Sequence, residues 1–206
     1  FKSLLFMCAG AVVYTTGIKH INKVGGMAKK LPVVATCFFA AAFSISGIPL
    51  FNGFVSKAIT VNAAAAAGQE MVFTWLEVAS IGTFLSIPLK MGYFIFLRSD
   101  DKGAEIINPL PMNMQIAMCI SAFLCTLYGV YPDLLYRHLP FEMAPYHPFA
   151  PAHILQYAQM LGMALIPFMM YLDHMEPHTA ISLDTDWFYR KPFAWFVDRI
   201  AALFCA

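Results

Sequence analysis

Three lysines and one acid stand inside long apolar runs of this 206-residue chain: Lys2, Lys57, Lys90 and Glu77. A charged group at membrane depth costs ~2.5–3.5 kcal/mol even on lenient scales, so it is retained where it meets a hydrated path or a partner. The chemistry open to such a lysine is proton exchange. Loss of bulk hydration disfavours an ammonium, and a group whose surroundings switch between dry and wet can release and regain a proton. The competing reading is snorkelling, in which a lysine near a helix end lifts its ammonium to the headgroups. Lys90, seven residues before Leu97, is open to both readings, and Lys2 is too near the start of the chain for its depth to be assigned. Lys57 follows Gly53 by four residues, with ten residues of the same run after it, which places it deep. Glu77 is six residues into its run, where a place at the interface opposite the basic side is the favoured reading over a functional one.

Other chemistry is thin. The six histidines (20, 138, 147, 153, 174 and 178) form no zinc-protease pattern. His174 and His178 are four apart, but Pro177 between them argues against one helix face. No Gly-rich phosphate loop or nucleophile elbow is present. The sequence therefore predicts no catalytic residue, no metal and no cofactor in this chain. The five cysteines (8, 37, 119, 125 and 205) lie in apolar runs without metal-like spacing and read as small core hydrophobes. A net charge of +1 excludes a broadly basic nucleic-acid binder.

The elements that must position these groups are membrane helices. Hydrophobic residues make up 60% of the chain and charged ones 12%, about half the ~25% of soluble domains. A soluble domain of this size could not hide that much apolar surface. The expected fold is all-α, a polytopic bundle of about five spans, one of them discontinuous, with a C-terminal interfacial amphipathic helix. Spans are expected at Phe1–Thr16, Pro32–Ala67, Met71–Leu97, Met112–Val130 and Ala152–Leu172. Pro32–Ala67 has 36 residues, roughly 54 Å as one straight helix, which is too long for a single regular crossing. Gly47, Pro49 and Gly53 should break it. Two readings compete, two spans joined by a turn or one span that unwinds and continues.

Positive charge decides between them. With one crossing, Lys19, Lys23, Lys29, Lys30, Arg98, Lys102, Arg190, Lys191 and Arg199 share a side and only Arg137 faces the other, 9 against 1. With two crossings the split is 5 against 5, so the single crossing obeys the positive-inside rule. Lys29 and Lys102 are then cytoplasmic and Arg137 is outside. Ser44, Ser46, Asn52, Ser56, Thr60 and Asn62 could line a water path, or simply satisfy backbone freed by the break. Trp75, Tyr93, Trp187, Tyr189 and Trp195 read as interfacial anchors. Pro192–Ala206 places Phe193, Phe196, Val197, Ile200, Leu203 and Phe204 at helical spacing, with Asp186 as a candidate cap, at the interface or against a partner subunit; a sixth span is the alternative.

Three segments carry a resemblance. Phe1-Lys2-Ser3-Leu4-Leu5-Phe6-Met7, Gly25-Gly26-Met27-Ala28-Lys29-Lys30-Leu31-Pro32 and Ser44-Ile45-Ser46-Gly47-Ile48-Pro49-Leu50-Phe51-Asn52-Gly53-Phe54-Val55-Ser56-Lys57 follow one another in order. Together they resemble the antiporter-like membrane subunits shared by respiratory NADH:quinone oxidoreductase and Mrp-type sodium/proton antiporters, over roughly residues 1–100. Leu183–Lys191 also resembles a C-terminal segment of some of these proteins. The resemblance implies the C-terminal half of an antiporter-like protein built from two inverted five-helix repeats. Lys57 would be the broken-helix lysine of the second repeat, Lys2 would match the lysine on the preceding helix, and Lys90 and Glu77 are candidates for the same proton pathway. It further implies a multi-pass protein of the bacterial inner membrane, with lipid and other membrane subunits as partners and protons, and in the antiporters sodium, as the ions moved.

The expected organisation is a second-repeat portion at 1–100, C-terminal spans at 101–172 and a cytoplasmic or interfacial tail at 173–206. The chain opens at Phe1 within an apolar run and without an initiator Met, so a longer protein containing the first repeat is expected. The leading functional expectation is a proton-translocating subunit of an antiporter or oxidoreductase complex. The alternative is a structural membrane subunit or half-protein that moves no ions.

Overall fold

Proline and glycine set the boundaries of the helices in this computed structural model, which describes residues 1–98, 104–139, 149–177 and 186–204. The described residues contain helices and loops and no strand. Helix α1 (Lys2–Thr16) stops at Gly17 in the left-handed conformation. A short turn at Ile21–Lys23 and α2 (Met27–Lys30) lead to α3 (Pro32–Ser46), whose first position is the fixed-φ proline a helix start accepts. Helix α4 (Asn52–Ala66) follows a gap, and then α5 (Glu70–Phe84). Helix α5 continues without a stop into wider π-type turns at Leu85–Leu97. Pro88 lies in that stretch and has no N–H to close a regular turn. Helices α6 (Met112–Val130), α7 (Pro132–Tyr136) and α8 (Pro151–Met170) complete the bundle. The tail holds α9 (Asp186–Phe188), a wide turn at Tyr189–Phe193 and α10 (Ala194–Phe204).

Helix α3 sits at the centre and packs against α1, α6 and the Leu85–Leu97 turns. Its buried face (Val34, Cys37, Phe38, Ala41, Ala42) meets Leu4, Cys8 and Ala11 of α1 and Met118 and Cys125 of α6. Phe38 lies against Phe96, ring centroids 4.8 Å apart.

Glu70–Leu97 is one helical run of 28 residues, and it serves as a ruler for α3 and α4. Phe38 and Phe39 touch the region of Gly92, and Ile45 and Ile87 line one groove. Further along, Ser56, Lys57, Thr60 and Val61 face Leu76, Ala79, Ser80 and Thr83 across a cleft. As the numbers rise along α3 and α4 they fall along the ruler, so both helices run antiparallel to it, α3 beside its later part and α4 beside its earlier part.

The basic loops gather at one end. Lys30 donates to the Ala104 carbonyl at 2.8 Å, the Arg98 carbonyl approaches Gly26, and Ile107 N–H bonds the Thr15 carbonyl at 2.8 Å. Arg98 and Glu176 pair at 2.6 Å, tying the segment after α8 to the same end. Arg137 follows the opposite end of α6. Lys102 lies outside the described residues, as do His147, His178, Cys205 and Leu183–Thr185 of the tail segment.

The observed helices differ from the expected bounds in several places. Among the described residues, two helices are long and apolar enough to cross a membrane, Glu70–Leu97 and Met112–Val130. Lys2–Thr16 and Pro32–Ser46 are apolar but shorter. The third expected span begins one residue earlier, at Glu70, and the fifth runs Pro151–Met170 rather than Ala152–Leu172. Gly53 is inside α4, not in the gap, because the helix resumes at Asn52. Asp186 stands in the helical turn Asp186–Phe188 and pairs with Arg190 at 2.9 Å. Cys119 is exposed while Cys8, Cys37 and Cys125 are buried, although Cys119 still reaches Cys37 of α3.

Candidate functional site: the gap between α3 and α4 and Lys57

Helix α3 ends at Gly47, whose φ of 80° is left-handed and whose N–H bonds the Ser44 carbonyl at 3.1 Å. The chain then passes Ile48-Pro49-Leu50-Phe51 outside helical geometry. Pro49 has no N–H and disfavours helix at the residue before it. Leu50 has φ 77°, the one left-handed non-glycine among the described residues. A leucine in that region is strained by roughly 1–2 kcal/mol, so the surroundings must impose it.

Two close approaches do so. A Cβ on Gly53 would stand 1.6 Å from the Ser44 carbonyl oxygen, so the first turn of α4 lies directly on the last turn of α3. A Cβ on Gly129 would stand 2.3 Å from the Leu50 carbonyl oxygen and 2.4 Å from Phe51 Cα, so the end of α6 is pressed onto the gap. Backbone freed by the break is served locally. Ile48 N–H bonds the Phe43 carbonyl at 3.0 Å, and Phe51 N–H the Ile48 carbonyl at 3.3 Å. Ser44 Oγ bonds Asn52 Oδ1 across the gap.

Lys57 is one turn beyond the restart of α4. Helical side chains lean toward their own N-terminus, and Lys57 accordingly runs back over the gap. A Cβ at Gly47 would stand 3.2 Å from Lys57 Cδ, 3.9 Å from Lys57 Nζ and 3.4 Å from Tyr157 Cε1 of α8. The Nζ is buried and has no hydrogen-bond partner among the described residues. Around it the packing is aromatic: Phe54, fully buried, meets Tyr157 edge-on at 5.1 Å and stacks on Phe149 at 5.7 Å. On its other flank a cleft of about 270 Å³ between α4 and α5 is lined by four hydroxyl residues, Ser56, Thr60, Ser80 and Thr83, with Lys57, Val61, Leu76 and Ala79.

The other expected site residues lie apart from this cleft. Lys2 is exposed and lines a separate, apolar groove with Leu5, Phe6, Phe38, Ile45 and Ile87. Lys90 is exposed on the Leu85–Leu97 turns. Glu77 is half-buried and accepts a bond from Gln156 Nε2 of α8 at 2.6 Å. Of the expected water-path residues, Ser46 donates to the Ala42 carbonyl at 2.6 Å, Thr60 to the Ser56 carbonyl at 3.0 Å and Asn62 to the Ala58 carbonyl at 3.0 Å. These bonds satisfy backbone acceptors, which is the plainer of the two roles such residues could have. Of the aromatics read as anchors, Tyr93 packs against Phe94 and Phe168.

Sequence reasoning missed Ser80, Thr83, Tyr157 and Gly129. The hydroxyls of α5 carry a usable signal: Ser80 and Thr83 are three apart on one helix face, as are Ser56 and Thr60 at four. Gly129 and Tyr157 carry none, because their role arises only when distant segments meet.

Residues 1–86 match the family model described as the NADH:quinone oxidoreductase/Mrp antiporter transmembrane family. An uncharacterized protein of Methanocaldococcus jannaschii is 34% identical over 142 residues, 68% of this chain and 29% of that protein. An uncharacterized protein of Mycobacterium tuberculosis is 32% identical over 66% of this chain and 23% of its own length. The Na(+)/H(+) antiporter subunit A1 of Staphylococcus aureus is 30% identical over 66% of this chain and 18% of its own length. The chain thus spans less than a third of the length of these relatives. The chain, an integral membrane protein, belongs to the antiporter-like family shared by NADH:quinone oxidoreductases and Mrp antiporters.

Proposed function

We propose that this chain is the second-repeat part of a proton-translocating subunit, working within a hetero-oligomeric membrane complex, and that Lys57 is its titrating group. One observation carries the reading: an ammonium nitrogen buried without a partner, laid over the gap between α3 and α4 and flanked by a hydroxyl-lined cleft. A scaffold gains nothing from such a group, since an unpaired buried charge is a cost. A carrier of protons needs one, because a fixed counter-charge would hold the proton in place. The gap supplies backbone dipoles and carbonyls at the level where an ion pauses, a device general to transporters with broken helices.

In this reading α3 and α4 form one interrupted crossing, with the Lys19–Lys30 loop and Arg98 on the cytoplasmic face and Arg137 outside. The antiparallel run of α3 and then α4 along Glu70–Leu97 supports it, and so does the distribution of positive charge. The ion partner is a proton, exchanged against sodium if the role named for the staphylococcal relative carries over.

The test uses the complete complex in vesicles with a pH-sensitive dye. Lys57→Ala should cut proton movement at least tenfold while assembly stays intact. Lys57→Arg should fail nearly as badly, because a guanidinium keeps its proton at any physiological pH. Full transport by the arginine variant would leave Lys57 as a fixed positive charge. Full transport by the alanine variant would favour the structural alternative, in which the chain moves no ions.

A further inference from the structure

We propose that residues 186–204 are a membrane-surface anchor, whose apolar arc lies in the headgroup–acyl boundary of the bilayer at the basic end of the bundle. The inference rests on reading the chain as membrane-spanning, and it concerns a part of the molecule remote from Lys57.

The side chains of α10 and the turns before it separate into two arcs. Phe193, Phe196, Val197 and Ile200 fall at i, i+3, i+4 and i+7, one helical face, and all four are exposed. The opposite arc carries Lys191, Asp198 and Arg199 together with Trp195. There Arg199 is held over the Trp195 ring, 5.6 Å from its centroid. Arg190 is tied up with Asp186. The turns that pack on α10 are those just before it in sequence, so its apolar arc is left open among the described residues.

Three features select lipid as the occupant. The first is position. The Arg98–Glu176 pair fixes the start of the tail at the end of the bundle that carries Lys29, Lys30 and Arg98. The tail therefore starts from that membrane surface, and the eight residues between Pro177 and Asp186 allow α10 to lie along it. The second is side-chain size. Helices that pack on other membrane helices present small residues, whereas this arc is phenylalanine, valine and isoleucine. The third is charge. Two cations, Lys191 and Arg199, oppose one acid, Asp198, on the water-facing arc, which suits anionic headgroups. With 19 residues, only 11 of them in α10, the segment is amphipathic rather than uniformly apolar, so it lies along the surface rather than crossing.

The test uses the full chain in vesicles of phosphatidylcholine and phosphatidylglycerol whose acyl chains carry bromine, a quencher of tryptophan. Trp75, Trp187 and Trp195 are exposed and can be replaced by phenylalanine. Into that background go Phe196→Trp or Asp198→Trp, one at a time. The tryptophan at 196 should be quenched by brominated chains at least threefold more strongly than the one at 198. Aqueous acrylamide should show the reverse order. Equal acrylamide quenching at both positions would put the tail in water and overturn the anchor. Protection of position 196 from both quenchers would mean that protein covers the arc, and would also overturn it. A chain keeping only Trp75, on the long α5 run, separates the two levels of the claim. If Trp75 is quenched by brominated lipid and 196 is not, the anchor alone fails; if neither is quenched, the membrane-spanning reading fails with it.

Discussion

Lys57 and Lys2 are the same side chain in apolar runs of the same chain, and the structure treats them oppositely. Lys57 is laid back over Gly47 with its Nζ sealed, beside a cleft lined by four hydroxyls. Lys2 is exposed at the rim of a groove of about 370 Å³ whose other lining residues, Leu5, Phe6, Ala9, Phe38, Ile45, Ile87 and Met91, are apolar. Depth in a hydrophobic run therefore does not decide what a lysine can do. The backbone around it does: an interruption lets α4 start beside the last turn of α3, and that offset creates a floor under Lys57. No such step exists along α1, which is regular from Lys2 to Thr16.

The largest expected effect follows from that offset. Gly53→Ala would place a methyl 1.6 Å from the Ser44 carbonyl oxygen, a backbone atom that no side-chain rotation can move aside. Overpacking in a filled core costs ~1–3 kcal/mol and sometimes more, and this contact belongs at the upper end. The variant should lose most of its assembled protein, read as the yield of the monodisperse complex after extraction. Gly82→Ala on α5, where a Cβ meets nothing within 4 Å, should assemble normally. Equal yields for the two would mean that α3 and α4 do not touch as described, and that the floor under Lys57 is absent.

A smaller and opposite effect distinguishes the two lysines directly. Lys57→Met removes an unpartnered buried ammonium and leaves a side chain of similar length. Replacing buried charge by apolar volume is often neutral or stabilising, so the thermal midpoint should rise by the equivalent of about 1–2 kcal/mol. Lys2→Met changes an exposed group and should stay within about 0.5 kcal/mol of the parent. A fall in the midpoint for Lys57→Met would mean that Lys57 has a partner acid in the whole complex, and would count against the proton-exchange role.

Local features of the fold were legible where chemistry is local. Gly47 and Pro49 announce an interruption because one favours the left-handed conformation and the other lacks a donor. Lys57 stood out because charge inside an apolar run is costly. The extent of the gap was not legible: Gly53 reads as a breaker, yet it serves as the only residue small enough to lie on the Ser44 carbonyl, and that demand comes from packing. The wide turns at Leu85–Leu97 were also hidden, since Pro88 signals a disturbance but not its form. Lys2, Lys90 and Glu77 resembled Lys57 in their apolar sequence surroundings. The structure separates them because exposure depends on which helices meet, and Glu77 found Gln156, 79 residues away.

The smallest effect concerns Leu50. Its φ of 77° is one that leucine adopts at a cost of roughly 1–2 kcal/mol. Its side chain is 57% exposed, so truncation forfeits little packing. Glycine accepts the left-handed region freely but makes the unfolded chain more disordered, an opposing term of about 0.4–1 kcal/mol. The difference leaves Leu50→Gly about 0–1.6 kcal/mol more stable, a rise of a few degrees at most in the thermal midpoint of the purified protein. Leu50→Ala makes a control, since alanine keeps most of the strain while losing the same side chain, and it should be neutral or slightly destabilised. If both variants fall together, the leucine side chain holds the gap in place. If glycine alone rises, the strain is stored in the backbone, imposed by Gly129 of α6 pressing on the Leu50 carbonyl and by Gly53 of α4 pressing on Ser44. The second result would tie the conformation of the gap to the position of α6, and so make the surface that Lys57 rests on a property of three helices rather than of α3 and α4 alone.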